Sequence, residues 1–435
     1  MGLAGEDERS ARAGSNESSP DGGPMDRRIT VDQLLAASEG VDEKRLVRRL
    51  DLHLIPLIMS IYLFSFIDRV NVGNARLYKL EADLSLSSAQ FQVAVSIFFV
   101  TYMFFEVPSN LVLKLFTPRR WIAFITVSWG LVATLMGLVN SYGSLIACRL
   151  LLGAVEAGLF PGLNIYLTFF YTKNELALRV GYLFVSAAIA GALGGLLAYG
   201  IGHMDGVQGM SGWRWIFIIE GIPSVVLGVV TYFALPNDAG TAYFLDDAEK
   251  ALMEVRRRRA YGSCSKSSEE VGRGDVLRAF TDWKAWAFYV AQFGVDTMLY
   301  GFSTFLPTII QALGEWSPAQ VQLLTIPCYF FGAATYMGTA WLSDRVQMRG
   351  LFCVIFGSVS AVGPKPDQPR YIRGHAVCLA MVGMGTAMYG FLWYWYWREN
   401  RRREEGGVMS EKHRGMEEEE LVELGDDSPR FRYTI

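Results

Sequence analysis

Two charged residues stand inside an apolar run long enough to cross a bilayer. In C-R-L-L-L-G-A-V-E-A-G-L-F-P-G, Cys148 to Gly162, Arg149 and Glu156 are seven residues apart. That is about two turns of an α-helix, so both side chains lie on one face. Charge inside hydrocarbon is costly and ordinarily faces a partner or a water-filled cavity. The planar fork of arginine matches a carboxylate bidentately, which suits Arg149 to an anionic ligand. A buried carboxyl such as Glu156 can carry a proton. A nearby arginine competes with that proton, so moving the arginine onto a substrate changes how firmly the proton is held. An ion-pair staple between helices is the competing reading of the same two residues.

A second charged pair, Asp68 and Arg69, lies near the end of the first apolar run in S-F-I-D-R-V-N-V-G-N-A-R. Adjacent helical residues point about 100° apart, so the two do not face a single partner. Either they mark the interfacial end of a helix or they face a central cavity. In G-T-A-W-L-S-D-R-V-Q-M-R-G, Asp344, Arg345 and Arg349 are expected on a short turn, as a solvated loop or a conformational latch. Enzyme signatures are missing. The four histidines are scattered with no H-E-x-x-H, and no G-x-x-x-x-G-K-[ST] loop offers a phosphate cradle. No cofactor or metal is expected, and the charge pattern has no nucleic-acid footprint.

The elements that position these residues are membrane spans. Of 435 residues, 51% are hydrophobic and 19% are charged, and the charges gather in tails and loops. Ten apolar segments follow one another, at about 52–75, 90–113, 121–140, 144–168, 180–202, 213–235, 286–310, 320–342, 351–363 and 375–397. Nine are long enough to cross. The ninth in order, 351–363, covers only about 20 Å of a roughly 30 Å core. It ends at P-K-P-D-Q-P-R, which cannot readily continue a helix. The five cysteines have no C-x-x-C spacing and read as small buried residues. In the fifth span, Gly191 and Gly195 have the four-residue spacing that lets helices approach closely.

Basic residues set the expected orientation. Lys44, Arg45, Arg48 and Arg49 precede the first span, Arg119 and Arg120 follow the second, Arg256 to Arg259 lie in the long middle loop, and Arg401 to Arg403 follow the last. The alternate loops are poor in Lys and Arg, so both termini are expected to be cytoplasmic. The first apolar run would serve as an uncleaved anchor. The expected organisation is a disordered cytoplasmic N-tail over 1–50, a six-helix bundle over 51–235, a cytoplasmic linker over 236–285, a shortened second bundle over 286–397 and a disordered C-tail over 398–435. Within the linker, F-L-D-D-A-E-K-A-L-M-E-V-R-R-R-R predicts a surface helix with a solvated face.

Several stretches in order carry a family resemblance: F-I-D-R-V-N-V-G-N-A-R, E-V-P-S-N, R-L-L-L-G-A-V-E-A-G-L-F-P-G, W-R-W-I-F-I-I-E-G, Y-G-F-S-T-F-L-P-T-I-I and W-L-S-D-R. On these the chain resembles the major facilitator superfamily, specifically its anion:cation symporter branch, and most of all fungal allantoate- and nicotinate-type permeases. The resemblance implies an all-α polytopic membrane protein with a six-helix N-terminal bundle and an incomplete, about four-helix C-terminal bundle. It implies proton-coupled symport of a small organic anion, a vitamin- or ureide-like carboxylate, by alternating access about a midplane site. Asp68 and Glu156 match proton-coupling carboxylates. Arg69 and Arg149 match substrate or charge-pairing arginines, Tyr102 matches a cavity position, and Asp344 and Arg345 match a cytoplasmic loop motif. The implied partners are lipid, the anion and a proton, and the implied state is a monomer in the plasma membrane. The family has twelve spans, and the sequence after Gly363 resumes like the twelfth. The rival expectation is therefore a transport-dead paralogue, or a mis-spliced or mis-predicted product, lacking two cavity-lining helices.

Overall fold

The computed structural model describes residues 31–261, 280–346, 355, 372–405 and 432–433. Among them the regular structure is helical throughout. A short α1 (Val31–Ala37) leads into the long α2 (Glu43–Leu77), followed by α3 (Leu80–Asp83), α4 (Ser88–Leu115), α5 (Pro118–Met136), α6 (Tyr142–Glu156), α7 (Leu159–Thr168), α8 (Lys173–Gly202) and α9 (Gly212–Ala234). Then come α10 (Asp247–Tyr261), α11 (Trp283–Ala312), α12 (Pro318–Val346) and α13 (Ile372–Glu404). Among the described residues, five helical stretches are long and apolar enough to cross a membrane: Glu43–Leu77, Ser88–Leu113, Tyr142–Thr168, Glu175–Gly202 and Gly212–Ala234. The ninth apolar segment, 351–363, lies outside the described residues apart from Ile355.

Local chemistry starts these helices where it should. The Asp42 carboxylate accepts from the backbone N–H of Lys44 and caps α2. Ser87 and Gln90 close a reciprocal capping box at α4, and Ser141 and Ser144 do the same at α6. Pro118 opens α5 at a position where its missing N–H costs nothing. The fourth apolar run is two helices. It breaks between Glu156 and Leu159, just ahead of Pro161, which has no N–H to give to Ala157.

Small residues decide the packing. α5 and α9 lie against each other, and a β-carbon at Gly130 would come within 2.7 Å of the Val225 nitrogen. At the α4–α6 contact, one at Gly153 would overlap the carbonyl of Phe98. The Gly191 and Gly195 pair does face a helix. Tyr329 and Gln322 of α12 fill the space that side chains there would take. One contiguous core runs from Leu46 of α2 to Met253 of α10, and a second small cluster joins Leu306 and Ile310 of α11 to Val321 of α12.

Two expectations about the polar segments change. The linker helix is not simply solvated, since Leu252, Met253, Val255 and Arg256 of α10 are buried. Arg256 reaches Glu43 at 2.7 Å and Glu175 at 2.5 Å, so α10 is tied to the starts of α2 and α8. Asp344 and Arg345 are not on a turn. α12 continues through both to Val346, and a cation in the last helical turn complements the helix dipole. The Arg345 guanidinium stands over Trp341, 5.4 Å from the ring centre. The Asp344 side chain and Arg349 lie outside the described residues.

Candidate functional site

The site grows from α2, α4 and α6, the first and third of which carry charge at buried positions. Arg149 is 1% exposed and Glu156 0% exposed, so both face inward as their spacing requires. They do not pair with each other. Two helical turns separate them by about 10 Å along the axis, too far for one side-chain bond. Glu156 is instead held from α2. The Arg69 Nη2 donates to its Oε1 at 2.5 Å, and the Ser65 hydroxyl donates to the same oxygen at 2.5 Å. Ser65 and Arg69 are four residues apart on α2, which places both over one carboxylate. The Arg69 guanidinium also lies over two α4 rings, 5.4 Å from Phe98 and 5.2 Å from Tyr102. This places Tyr102 beside the charged pair, half-buried.

Among the described residues Arg149 makes no direct ion pair, and its Nε and Nη2 are buried without a hydrogen-bond partner, as are Glu156 Oε2 and Asp68 Oδ1. It lines a small cavity with Arg69, Val95, Phe98 and Phe99 of the first half and Ser303 of α11. The enclosed space is about 10 Å³, room for about one water and no more. A donor fork left without an acceptor in a buried site is expensive unless something else fills it. Chemically, the arrangement can offer a positive charge and two donor nitrogens to an acceptor that reaches Arg149.

Asp68 meets different partners, as its 100° offset from Arg69 predicts. Its Oδ2 accepts from the Trp129 indole at 2.6 Å and from the Ser224 hydroxyl at 3.1 Å, joining α2 to α5 and α9. Both Asp68 and Arg69 are buried in helix contacts. The structure thus lines one space with Arg69 and Arg149, sets Glu156 and Tyr102 against Arg69, and turns Asp68 about 100° around α2 toward Trp129 and Ser224. Arg345 lies far along α12 from this space.

Sequence reasoning passed over Ser65, Asn71, Trp129, Glu220 and Ser224. Glu220 is a buried carboxyl on α9, hydrogen-bonded by the Asn71 amide of α2. The signal for it was present in W-R-W-I-F-I-I-E-G, where an acid interrupts an apolar run. The second half has its own polar line, in which Tyr389 donates to Gln292 at 2.8 Å and Gln292 donates to Asp296 at 2.9 Å.

Comparison with known proteins places this arrangement. The family model "Major Facilitator Superfamily" matches residues 58–410. An uncharacterized transporter of Schizosaccharomyces pombe is 46% identical over 318 residues, covering 73% of this chain and 63% of the relative. A high-affinity nicotinic acid transporter of Saccharomyces cerevisiae is 32% identical over 347 residues, covering 78% of this chain and 64% of the relative. The chain thus spans a little under two thirds of the length of these relatives. Among solved structures, the xylose transporter XylE of E. coli in a partially occluded inward-open conformation superposes with a TM-score of 0.52 at 11% identity. That likeness covers 79% of this chain and 82% of the other and speaks to the fold alone.

Proposed function

This chain belongs to the Major Facilitator Superfamily, an integral membrane protein of a transporter class and not an enzyme, and we propose that it carries a small organic anion together with a proton by alternating access. The observation that supports this most directly is Arg149, almost wholly buried, with two donor nitrogens unfilled among the described residues, lining a cavity to which both halves of the chain contribute. Arg149 holds the carboxylate of the substrate. Phe98, Phe99 and Tyr102 give apolar and aromatic walls suited to a flat ring. The 32% identical relative is named for nicotinic acid, a flat aromatic carboxylate of this kind.

Charge balance supplies the coupling. Asp68 and Glu156 offset Arg69 and Arg149 in the empty site, so the four side chains sum to zero. An added anion leaves one uncompensated negative charge in a low-dielectric space, which a proton on one carboxyl removes. Glu156 is the nearer candidate, because the anion competes for Arg69, whose bond now holds the carboxylate. Asp68 is the second. Asp344 and Arg345 end α12 as part of a cytoplasmic latch, both termini face the cytoplasm, and the protein works as a monomer in the plasma membrane.

The test is uptake of radiolabelled nicotinate into cells expressing the full chain, with external pH varied. Acid outside should accelerate uptake, and Arg149→Ala and Glu156→Gln should each abolish it. If both variants keep acid-driven uptake, the mechanism is wrong.

A second reading keeps the fold without the transport. It is favoured by the short segment 351–363, which ends in P-K-P-D-Q-P-R before a span resembling the family's last. Sequencing transcripts across Gly363–Pro364 decides it. A longer coding segment that restores two spans identifies this chain as an artefact of processing or prediction.

A further inference from the structure

Away from the cavity, four buried polar side chains form a single line across both halves of the molecule. The Gln322 amide of α12 donates to the Asn74 Oδ1 of α2 at 3.3 Å. The Asn74 amide donates to the Asn71 Oδ1 at 3.5 Å, the longest link. The Asn71 amide donates to the Glu220 Oε2 of α9. All four residues are at most 3% exposed. Every donor in the line points the same way, from Gln322 toward the Glu220 carboxyl. Such a head-to-tail chain polarises along its length and is strongest when it ends on a good acceptor. It also fixes which way each amide is turned, because reversing one would set donor against donor.

The place of this line matters. Asn71 and Asn74 lie near the C-terminal end of α2, Gln322 near the start of α12, and Gly195 near the C-terminal end of α8. These ends meet beside the connections 78–87, 203–211 and 313–317, opposite the end that α10 covers. Gln322 is seated directly on Gly195, where a β-carbon would lie only 1.9 Å from its Oε1. The bond from Gln322 to Asn74 is therefore the polar closure between the first and second halves at this end.

We infer that Asn74 and Gln322 form the gate bond that keeps this end of the transporter shut, and that Glu220, through Asn71, is a positioning residue that holds Asn74 turned toward Gln322. Opening this end separates α12 from α2 and α8, so this bond must break in every cycle. Glu220 does not touch the substrate in this scheme. It anchors the acceptor end of the amide line, so that the first half presents a fixed Oδ1 to the moving half. The inference rests on alternating access, yet it needs neither an anion nor a proton to be tested.

The experiment is a distance measurement between spin labels at Gln208 and Glu315, both exposed on connections at this end. The labels are attached through a genetically encoded non-cysteine side chain, so that the native cysteines stay. The full chain is measured in nanodiscs with no substrate. The parent should give mainly the short distance. Gln322→Leu and Asn74→Leu should raise the ratio of long to short distances roughly 3- to 18-fold, the span of one side-chain hydrogen bond between membrane helices. Gly195→Ala reaches the same bond from α8 by displacing the Gln322 amide and should act in the same direction, which keeps the test alive if a leucine variant fails to fold. Glu220→Leu should shift the ratio like Asn74→Leu, whereas Glu220→Gln, which keeps an acceptor oxygen for Asn71, should shift it less. A distribution unchanged in both Gln322→Leu and Gly195→Ala overturns the gate. A shift there with none in Glu220→Leu overturns the role of Glu220. Nicotinate uptake fails independently of either result, so a wrong gate and a wrong substrate are separately readable.

Discussion

Replacing Arg149 with methionine separates a ligand-binding arginine from a structural one, because the two make unequal demands on stability. A structural arginine in a buried ion pair is costly to remove, about 3–5 kcal/mol, since its carboxylate partner is left uncompensated. Arg69 is in that position, with Glu156 at 2.5 Å and both side chains buried. Arg149 is not, since its Nε and Nη2 have no partner and no ion pair reaches it among the described residues. Exchanging Arg149 for an apolar chain of similar length removes its desolvation cost and breaks no direct ion pair, although Asp68 and Glu156 lose one of the two positive charges that offset them. Arg149→Met should therefore lose clearly less stability than Arg69→Met, which breaks the direct pair with Glu156 and loses about 3–5 kcal/mol. Substrate binding should move the other way. Losing a buried, hydrogen-bonded charge contact costs at least about 2 kcal/mol, or roughly 30-fold in affinity. The assay is paired: thermal unfolding of each purified variant in detergent, and nicotinate binding by the same preparations. If Arg149→Met unfolds as early as Arg69→Met, or binds nicotinate like the parent, the assignment of Arg149 to an anion is refuted.

Three further outcomes follow from contacts outside that cavity. Gly153→Ala drives a β-carbon into the Phe98 carbonyl, a backbone atom that cannot rotate away, and should cost about 1–3 kcal/mol, read as a lower unfolding temperature and reduced yield. Arg256→Ala removes the side chain that binds Glu43 and Glu175, so α10 should undock and trypsin should cut at Arg257 to Arg259 faster than in the parent, with transmembrane packing intact. In the 203–211 connection, the Gly212 N–H and then Lys79 hold the Asp205 carboxyl below its usual range. A depressed carboxyl contributes order that is present above the ordinary carboxylate range and lost as pH falls through the lowered value. Amide-exchange protection of Gly212 should accordingly survive at pH 5 and 7 and fade only below about pH 4, and Asp205→Asn should weaken that protection at neutral pH.

Much of this was legible from residue order. Arg149 and Glu156 announce an inward face because charge at that depth has nowhere else to go, and both are buried. The 100° offset of Asp68 from Arg69 separates their partners, and the structure gives Asp68 to Trp129 and Ser224 and Arg69 to Glu156. The spacing of Gly191 and Gly195 foretells a close helix, and α12 is that helix. Other features were not legible. The polar composition of α10 suggests a solvated helix, but Arg256 is buried because acids from α2 and α8 converge on it. Glu220 carries no local mark of its partner, since Asn71 lies 149 residues earlier.

The division has a simple physical cause. Hydropathy and helical period act within one segment, so the sequence alone determined that the described chain is helical, where its long apolar helices lie, and which charged positions within them must be buried. Which buried charge meets which depends on how separate helices are laid together, and that is settled by small-residue contacts far apart in the chain. Only the tertiary structure could decide that Arg69, and not Arg149, takes Glu156. That choice leaves the Nε and Nη2 of Arg149 without a partner among the described residues, on a side chain that lines the cavity.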